Sequence, residues 1–269
     1  MPTVVTDDSV TLSYLDEGTG PVVVLIAGFC APATTWALQQ KSLVAAGYRV
    51  LALDRRGHGA SEAPTQGASM ERHGRDLANF LTEVNVDEAV LIGGSMGANT
   101  IWSYVSQFGT DRVRAIVSVD QTPKMVNSAD WSNGFYGLTE ENRTTFFDNG
   151  IPDTGHGRPR WKSIPSLLKL VVTLRSMPKM ASPDTAPMKA LLIDHAAQDW
   201  RATIAAVDKP YLMIAGRDSQ FWPAAHALDS VYLNPLGRSV VLQNCGHAAN
   251  MDRPKEFDAA MLEFLDSIR

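Results

Sequence analysis

The segment Val90-Leu-Ile-Gly-Gly-Ser-Met-Gly-Ala-Asn-Thr-Ile-Trp102 decides the fold. An apolar run breaks at glycines around one serine and then resumes at helical spacing, which reads as strand, sharp turn and helix. Gly93, Ser95 and Gly97 fit G-x-S-x-G, in which the serine occupies a strained tip that only small neighbours allow, so that its hydroxyl projects above a sheet. The following helix offers unpaired N–H groups and a positive dipole end to an oxygen that becomes negative during a reaction. A Gly/Ser turn is also ordinary punctuation between strand and helix, so the rest of the chain has to decide between the two readings.

Upstream, Val22–Ile26 and Arg49–Leu53 are continuous aliphatic runs, expected of strands covered on both faces, with a helix over Trp36 to Ala46 between them. Thr3 to Val5 and Val10 to Tyr14 flank Asp7-Asp8-Ser9 and predict an antiparallel edge hairpin. Ser69 to Val84 is amphipathic and leads to the Ala89–Ile92 strand; Val113–Val119 is the next strand and ends at Asp120. From about Gln121 to Lys209 seven prolines interrupt short helical patterns such as Leu167 to Arg175 and Met188 to Ala197. The rhythm returns with a strand over Pro210–Ala215, a helix entered at Pro223, a strand over Ser239–Leu242 and a closing helix from Pro254. Alternating strands and helices predict an α/β fold: a mostly parallel central sheet flanked by helices, with a helical cap inserted after the sixth strand. The core is then 1–120 with 210–269, and the cap 121–209, laid over the sheet end that carries the serine.

Composition narrows the function. The 269 residues carry 24 Lys and Arg against 29 Asp and Glu, a formal net charge of −5, so no overall basic excess recruits nucleic acid or anionic lipid. The N-terminus lacks the basic flank and apolar core of a signal peptide, and no apolar run reaches about 18 residues. A cytoplasmic protein is expected, with neither nucleic acid nor membrane as a partner. Cys30 and Cys245 form no C-x-x-C pair, so two reduced thiols and no metal site are expected.

A serine hydroxyl is a weak nucleophile unless a base takes its proton, and the base must itself be oriented. In a parallel sheet the loops after the strands' carboxyl ends converge, so residues distant in sequence meet there. Ser95, Asp218 and His247 each follow an expected strand, in the order Ser, Asp, His. Asp120 also follows a strand and is the rival acid. His58 lies in a turn between glycines; His73, His195 and His226 fall in expected helices with no partner pattern.

These residues resemble the α/β-hydrolase superfamily over nearly the whole chain outside the cap. The matching pieces are Leu25-Ile-Ala-Gly-Phe29, Asp54-Arg-Arg-Gly-His-Gly-Ala-Ser61, Gly93-Gly-Ser-Met-Gly97, Ala215-Gly-Arg-Asp218 and Cys245-Gly-His247 with Asp252 and Pro254. Many relatives carry His-Gly where this chain has Ala27-Gly28, which removes a local support but not the Phe29 N–H. The resemblance implies that Ser95 attacks, His247 is base and then acid, Asp218 holds the imidazole, and the Phe29 and Met96 N–H groups bind the oxyanion, without metal or organic cofactor. The substrate so implied is a small carboxylic ester or lactone. The Gly94-Ser-Met-Gly97 and Asp120-Gln-Thr-Pro123 stretches also resemble cofactor-free haloperoxidases, which are esterase-like and form peracid when peroxide replaces water. Carbon–carbon bond hydrolysis and a non-catalytic small-molecule receptor are further readings of the same scaffold.

Overall fold

The computed structural model describes residues 1–232 and 234–269. Among them the apolar runs form strands β1 (Thr3–Val5), β2 (Thr11–Glu17), β3 (Val22–Ile26), β4 (Arg49–Leu53), β5 (Ala89–Gly94), β6 (Val113–Val119), β7 (Tyr211–Gly216) and β8 (Gly237–Leu242). They make one sheet in the order β1-β2-β4-β3-β5-β6-β7-β8. The hairpin β1/β2 is antiparallel and joins β4 antiparallel, while every pair from β4 to β8 is parallel. The helices are α1 (Ala37–Ala45), α2 (Met70–Glu83), α3 (Met96–Phe108), α4 (Ile164–Leu174), α5 (Ala186–Ala196), α6 (Arg201–Ala206), α7 (His226–Val231), α8 (Ala249–Asp252) and α9 (Pro254–Asp266).

Alternate residues of each central strand point to opposite faces, and both faces are apolar. Val24 and Ile26 of β3 join Leu77, Phe80, Ile101 and Trp102 on one side. Val23 and Leu25 join Leu43, Phe257, Met261 and Phe264 on the other. The first face is therefore covered by α2 and α3 and the second by α1 and α9. Ser69 caps α2 by accepting a hydrogen bond from the Arg72 amide at 3.2 Å.

The segment between β6 and β7 divides by what it touches. Met188, Leu191 and Leu192 of α5 and Ile204 of α6 are buried in the first of the two cores, and the Met70 amide donates to Asp194 at 2.6 Å. In α4 only Leu170 is buried. This helix starts three residues before the expected Leu167, because Pro165 in its first turn needs no N–H partner there. Helices α6 and α8, of six and four residues, are too short to show a periodicity.

Candidate active site

Ser95 forms the N-cap of α3 with φ 51° and ψ −128°. A non-glycine residue holds such a conformation only when its surroundings impose it, at a cost of about 1–3 kcal/mol. Those surroundings are crowded: a Cβ on Gly93 would strike the backbone of Gly97 and Ala98, and one on Gly97 the Ile26 carbonyl. A Cβ on Gly28 would stand 3.1 Å from the Ser95 Cβ and 3.6 Å from its Oγ, so glycine at 28 leaves room for the close approach of the β3 loop to the serine. The Ser95 amide donates to the Val119 carbonyl at 2.8 Å, which ties the serine turn to the end of β6.

The next residue after Val119 is Asp120, also at positive φ (43°) and with no exposed surface. Its Oδ1 accepts from the Gly216 amide at 3.0 Å and its Oδ2 from Ser219 Oγ at 2.6 Å. His247 Nδ1 lies 2.7 Å from the same Oδ2 and donates to it. His226 Nε2 stands 3.5 Å from Oδ1, close enough for electrostatic contact, although neither nitrogen of this buried ring has hydrogen-bond geometry to a partner. Burial alone raises the Asp120 carboxyl, but the His226 and His247 rings outweigh it and bring the group down to about 2. It is an anion at neutral pH.

The donation from Nδ1 fixes the His247 tautomer and leaves Nε2 with a lone pair. The loop carrying the ring is held from several sides. The His247 amide donates to Gln220 Oε1 at 2.9 Å, and Gln220 Nε2 donates to the Arg158 carbonyl at 2.5 Å. The Gly246 amide donates to Asp252 at 2.8 Å, and Phe221 packs edge-on against the imidazole with centroids 4.4 Å apart. Ser95 and His247 line one cavity of about 500 Å³. Their side chains are not hydrogen-bonded to each other in this structure; bonds of this kind commonly tighten once substrate is seated.

The expectation that Asp218 holds the imidazole is corrected by this geometry. The Asp218 backbone is engaged, its amide donating to the Cys245 carbonyl at 2.8 Å and its carbonyl accepting from the Arg158 amide at 2.7 Å. Its carboxylate makes no hydrogen bond to His247 among the described residues, where Asp120 occupies the Nδ1 side. Asp120, at the end of β6, reaches across β7: the Gly216 amide and the Ser219 hydroxyl hold its carboxylate where the loop after β8 brings the His247 ring.

The Phe29 and Met96 amides donate to no protein acceptor among the described residues. What aims the first of them is Arg55, fully buried in the turn after β4. Its Nε donates to the Ala27 carbonyl at 3.1 Å and its Nη2 to the Gly28 carbonyl at 2.8 Å. In a trans peptide the N–H points opposite to the C=O, so fixing the Gly28 carbonyl turns the Phe29 N–H the other way. His58 donates from Nδ1 to the Arg56 carbonyl at 2.8 Å and accepts from Arg55 at 3.0 Å through Nε2. Burial and the Arg55 charge hold this ring well below its ordinary pKa, in the neutral form the contact needs. Sequence reasoning missed Arg55, Gln220 and His226. Arg55 lies in the Asp54–Ser61 motif, whereas nothing local marks the other two.

The cavity's remaining wall is mostly apolar and combines both parts of the chain: Phe29, Trp36 and Met251 with Leu167, Leu170 and Met180. Its volume and lining suit a small organic molecule with an uncharged body.

The model of the alpha/beta hydrolase fold family matches residues 21–254, and the chain belongs to that family. A non-heme chloroperoxidase of Kitasatospora aureofaciens is 36% identical over 130 residues, which are 48% of this chain and 47% of that protein, so the match spans about half of each. A non-heme haloperoxidase of Rhodococcus erythropolis is 26% identical over 99% of this chain and 100% of its own length. Among solved structures, an esterase of Exiguobacterium antarcticum superposes with a TM-score of 0.80 at 18% identity, covering 98% of each chain; at that identity the likeness is one of fold. The protein is therefore an α/β-hydrolase with relatives named non-heme chloroperoxidase and non-heme haloperoxidase.

Proposed function

We propose that the chain hydrolyses a carboxylic ester or lactone through an acyl-enzyme on Ser95. The observation that carries this reading is the 2.7 Å contact of His247 Nδ1 with the buried Asp120 carboxylate, beside the cavity that Ser95 and His247 share. In the first half-reaction His247 Nε2 takes the Ser95 proton as Oγ attacks the carbonyl carbon. The resulting oxyanion is met by the Phe29 and Met96 N–H groups, donors aimed at charge that exists only after attack. The imidazolium, stabilised by Asp120, returns the proton to the departing alkoxide. Water then repeats the sequence and releases the acid. Residues 121–209 act as a cap on a core of 1–120 and 210–269, and the cap's apolar side chains select the acyl or alcohol group.

Short-chain p-nitrophenyl esters provide the test. The wild type turns them over and Ser95→Ala does not, while both unfold at the same temperature. Equal turnover by the two proteins refutes the proposal, and no turnover by either favours a receptor on this scaffold. A second reading has support in the relatives named haloperoxidases: with hydrogen peroxide in place of water the same acyl-enzyme yields a peracid. Trapping peracid from acetate and peroxide, with loss in Ser95→Ala, distinguishes it.

A further inference from the structure

The cap carries a surface that hydrolysis of a dissolved ester does not require. Trp161, Ile164, Leu168 and Val172 follow one another at spacings of three, four and four, so they form one stripe along α4 and the turn before it. That stripe faces outward: Trp161 is 66% exposed, Ile164 52%, Leu168 58% and Val172 75%. A water-facing helix normally shows the opposite pattern. Leu167, Met177 and Met180 are exposed next to it and also line the Ser95 cavity, so the apolar surface runs to the cavity mouth.

The charges around the stripe identify what it fits. Residues 154–183 contain six Lys and Arg and no Asp or Glu, in a chain whose net charge is −5. Lys162, Lys169, Arg175 and Lys179 are exposed, and none of them forms an ion pair among the described residues. We infer that this face of the cap docks on an anionic phospholipid surface, with the α4 stripe in the interfacial layer and the four cations against the headgroups. An apolar face bordered by lysine and arginine is the pattern of helices that lie in a membrane interface. A second copy of the chain fits worse, because two-fold pairing through this face would set like charges against like. The chain's overall acidic balance hides this local excess of cations. Docking here presents the cavity mouth to lipid, and the inference does not depend on the chemistry assigned to Ser95.

Co-sedimentation of the full chain with vesicles tests it, using phosphatidylcholine alone and phosphatidylcholine mixed with phosphatidylglycerol. The wild type and Ser95→Ala bind the anionic vesicles equally, and high salt weakens the binding. Lys169→Glu with Lys179→Glu reduces it by roughly tenfold or more, and Leu168→Ser with Val172→Ser abolishes it without lowering the unfolding temperature. Failure of the wild type to bind anionic vesicles overturns the inference, as does binding that survives both double variants. A dimer in analytical ultracentrifugation that Leu168→Ser with Val172→Ser dissolves overturns it in favour of self-association. Loss of esterase activity in Ser95→Ala with vesicle binding intact separates this surface from the catalytic reading.

Discussion

Replacing Asp120 with asparagine is the most informative perturbation of the site. Its Oδ1 accepts from the Gly216 amide at 3.0 Å, and its Oδ2 accepts from Ser219 at 2.6 Å and His247 at 2.7 Å. An asparagine keeps only one acceptor oxygen. If that oxygen faces Gly216, the new NH₂ meets His247 Nδ1, forces the proton to Nε2 and removes the base. If it faces His247, the NH₂ opposes the Gly216 N–H and leaves a buried donor unpaired, at about 1–3 kcal/mol. Either way the proposed reaction loses the anion that stabilises its imidazolium. With charge centres about 4 Å apart and an effective dielectric near 20, that interaction is worth roughly 4 kcal/mol, or about 10³ in rate. The wrong tautomer adds to this, so a loss of roughly 10³–10⁴ in kcat is expected. The assay is p-nitrophenyl butyrate hydrolysis, with thermal unfolding as the control for folding. Asp218→Asn stays within about threefold of wild type, because its side chain does not reach the ring. A folded Asp120→Asn with near-normal turnover, beside an inactive Asp218→Asn, refutes the reasoning.

Other outcomes follow from the same contacts. Gly28→Ala places a Cβ 3.1 Å from the Ser95 Cβ, so kcat/KM falls by roughly tenfold or more with little change in unfolding temperature. Arg55→Met strips donors from the Ala27 and Gly28 carbonyls in a buried setting; urea unfolding registers a loss of about 2–4 kcal/mol, and turnover falls with it. Because the folded-state Asp120 carboxyl titrates at about 2, below its ordinary 3.8, its ionisation stabilises the fold fully above pH about 4, and that stability is lost as pH falls through about 2. The acid limb of a stability-versus-pH curve is accordingly shallower in Asp120→Asn. Burial pushes the Cys30 thiol up to about 11, with Cys245 raised further, so iodoacetamide labels neither in the native protein at neutral pH and both after unfolding.

The central strands were legible because each is a run of β-branched and aliphatic residues, and in a sheet covered on both faces nothing interrupts that run. The Ser95 turn was legible because two of the glycines that relieve its crowding, Gly93 and Gly97, lie within two residues of it. His247 was readable from its place after the last strand. The carboxylate that meets the ring was not, because Asp120 and Asp218 both follow strands, and the contacts with Gly216, Ser219 and His247 that set Asp120 there are all long-range. Gln220 and His226 act through partners 27 or more residues away with no local pattern to mark them, and although Arg55 sits in a local motif, the Ala27 and Gly28 carbonyls it holds are equally distant. In α4 the helical period was visible, but a stripe reads the same whether it faces a core or lies open, and only three-dimensional placement distinguishes the two.

Covalent capture of the nucleophile tests the site most directly. After treatment with a fluorophosphonate, intact-mass and peptide mapping should show one adduct, on Ser95, formed quickly by the wild type and very slowly by His247→Ala and Asp120→Asn. Label on another residue, or equal labelling of Ser95 in all three proteins, would contradict a serine activated by the His247–Asp120 pair.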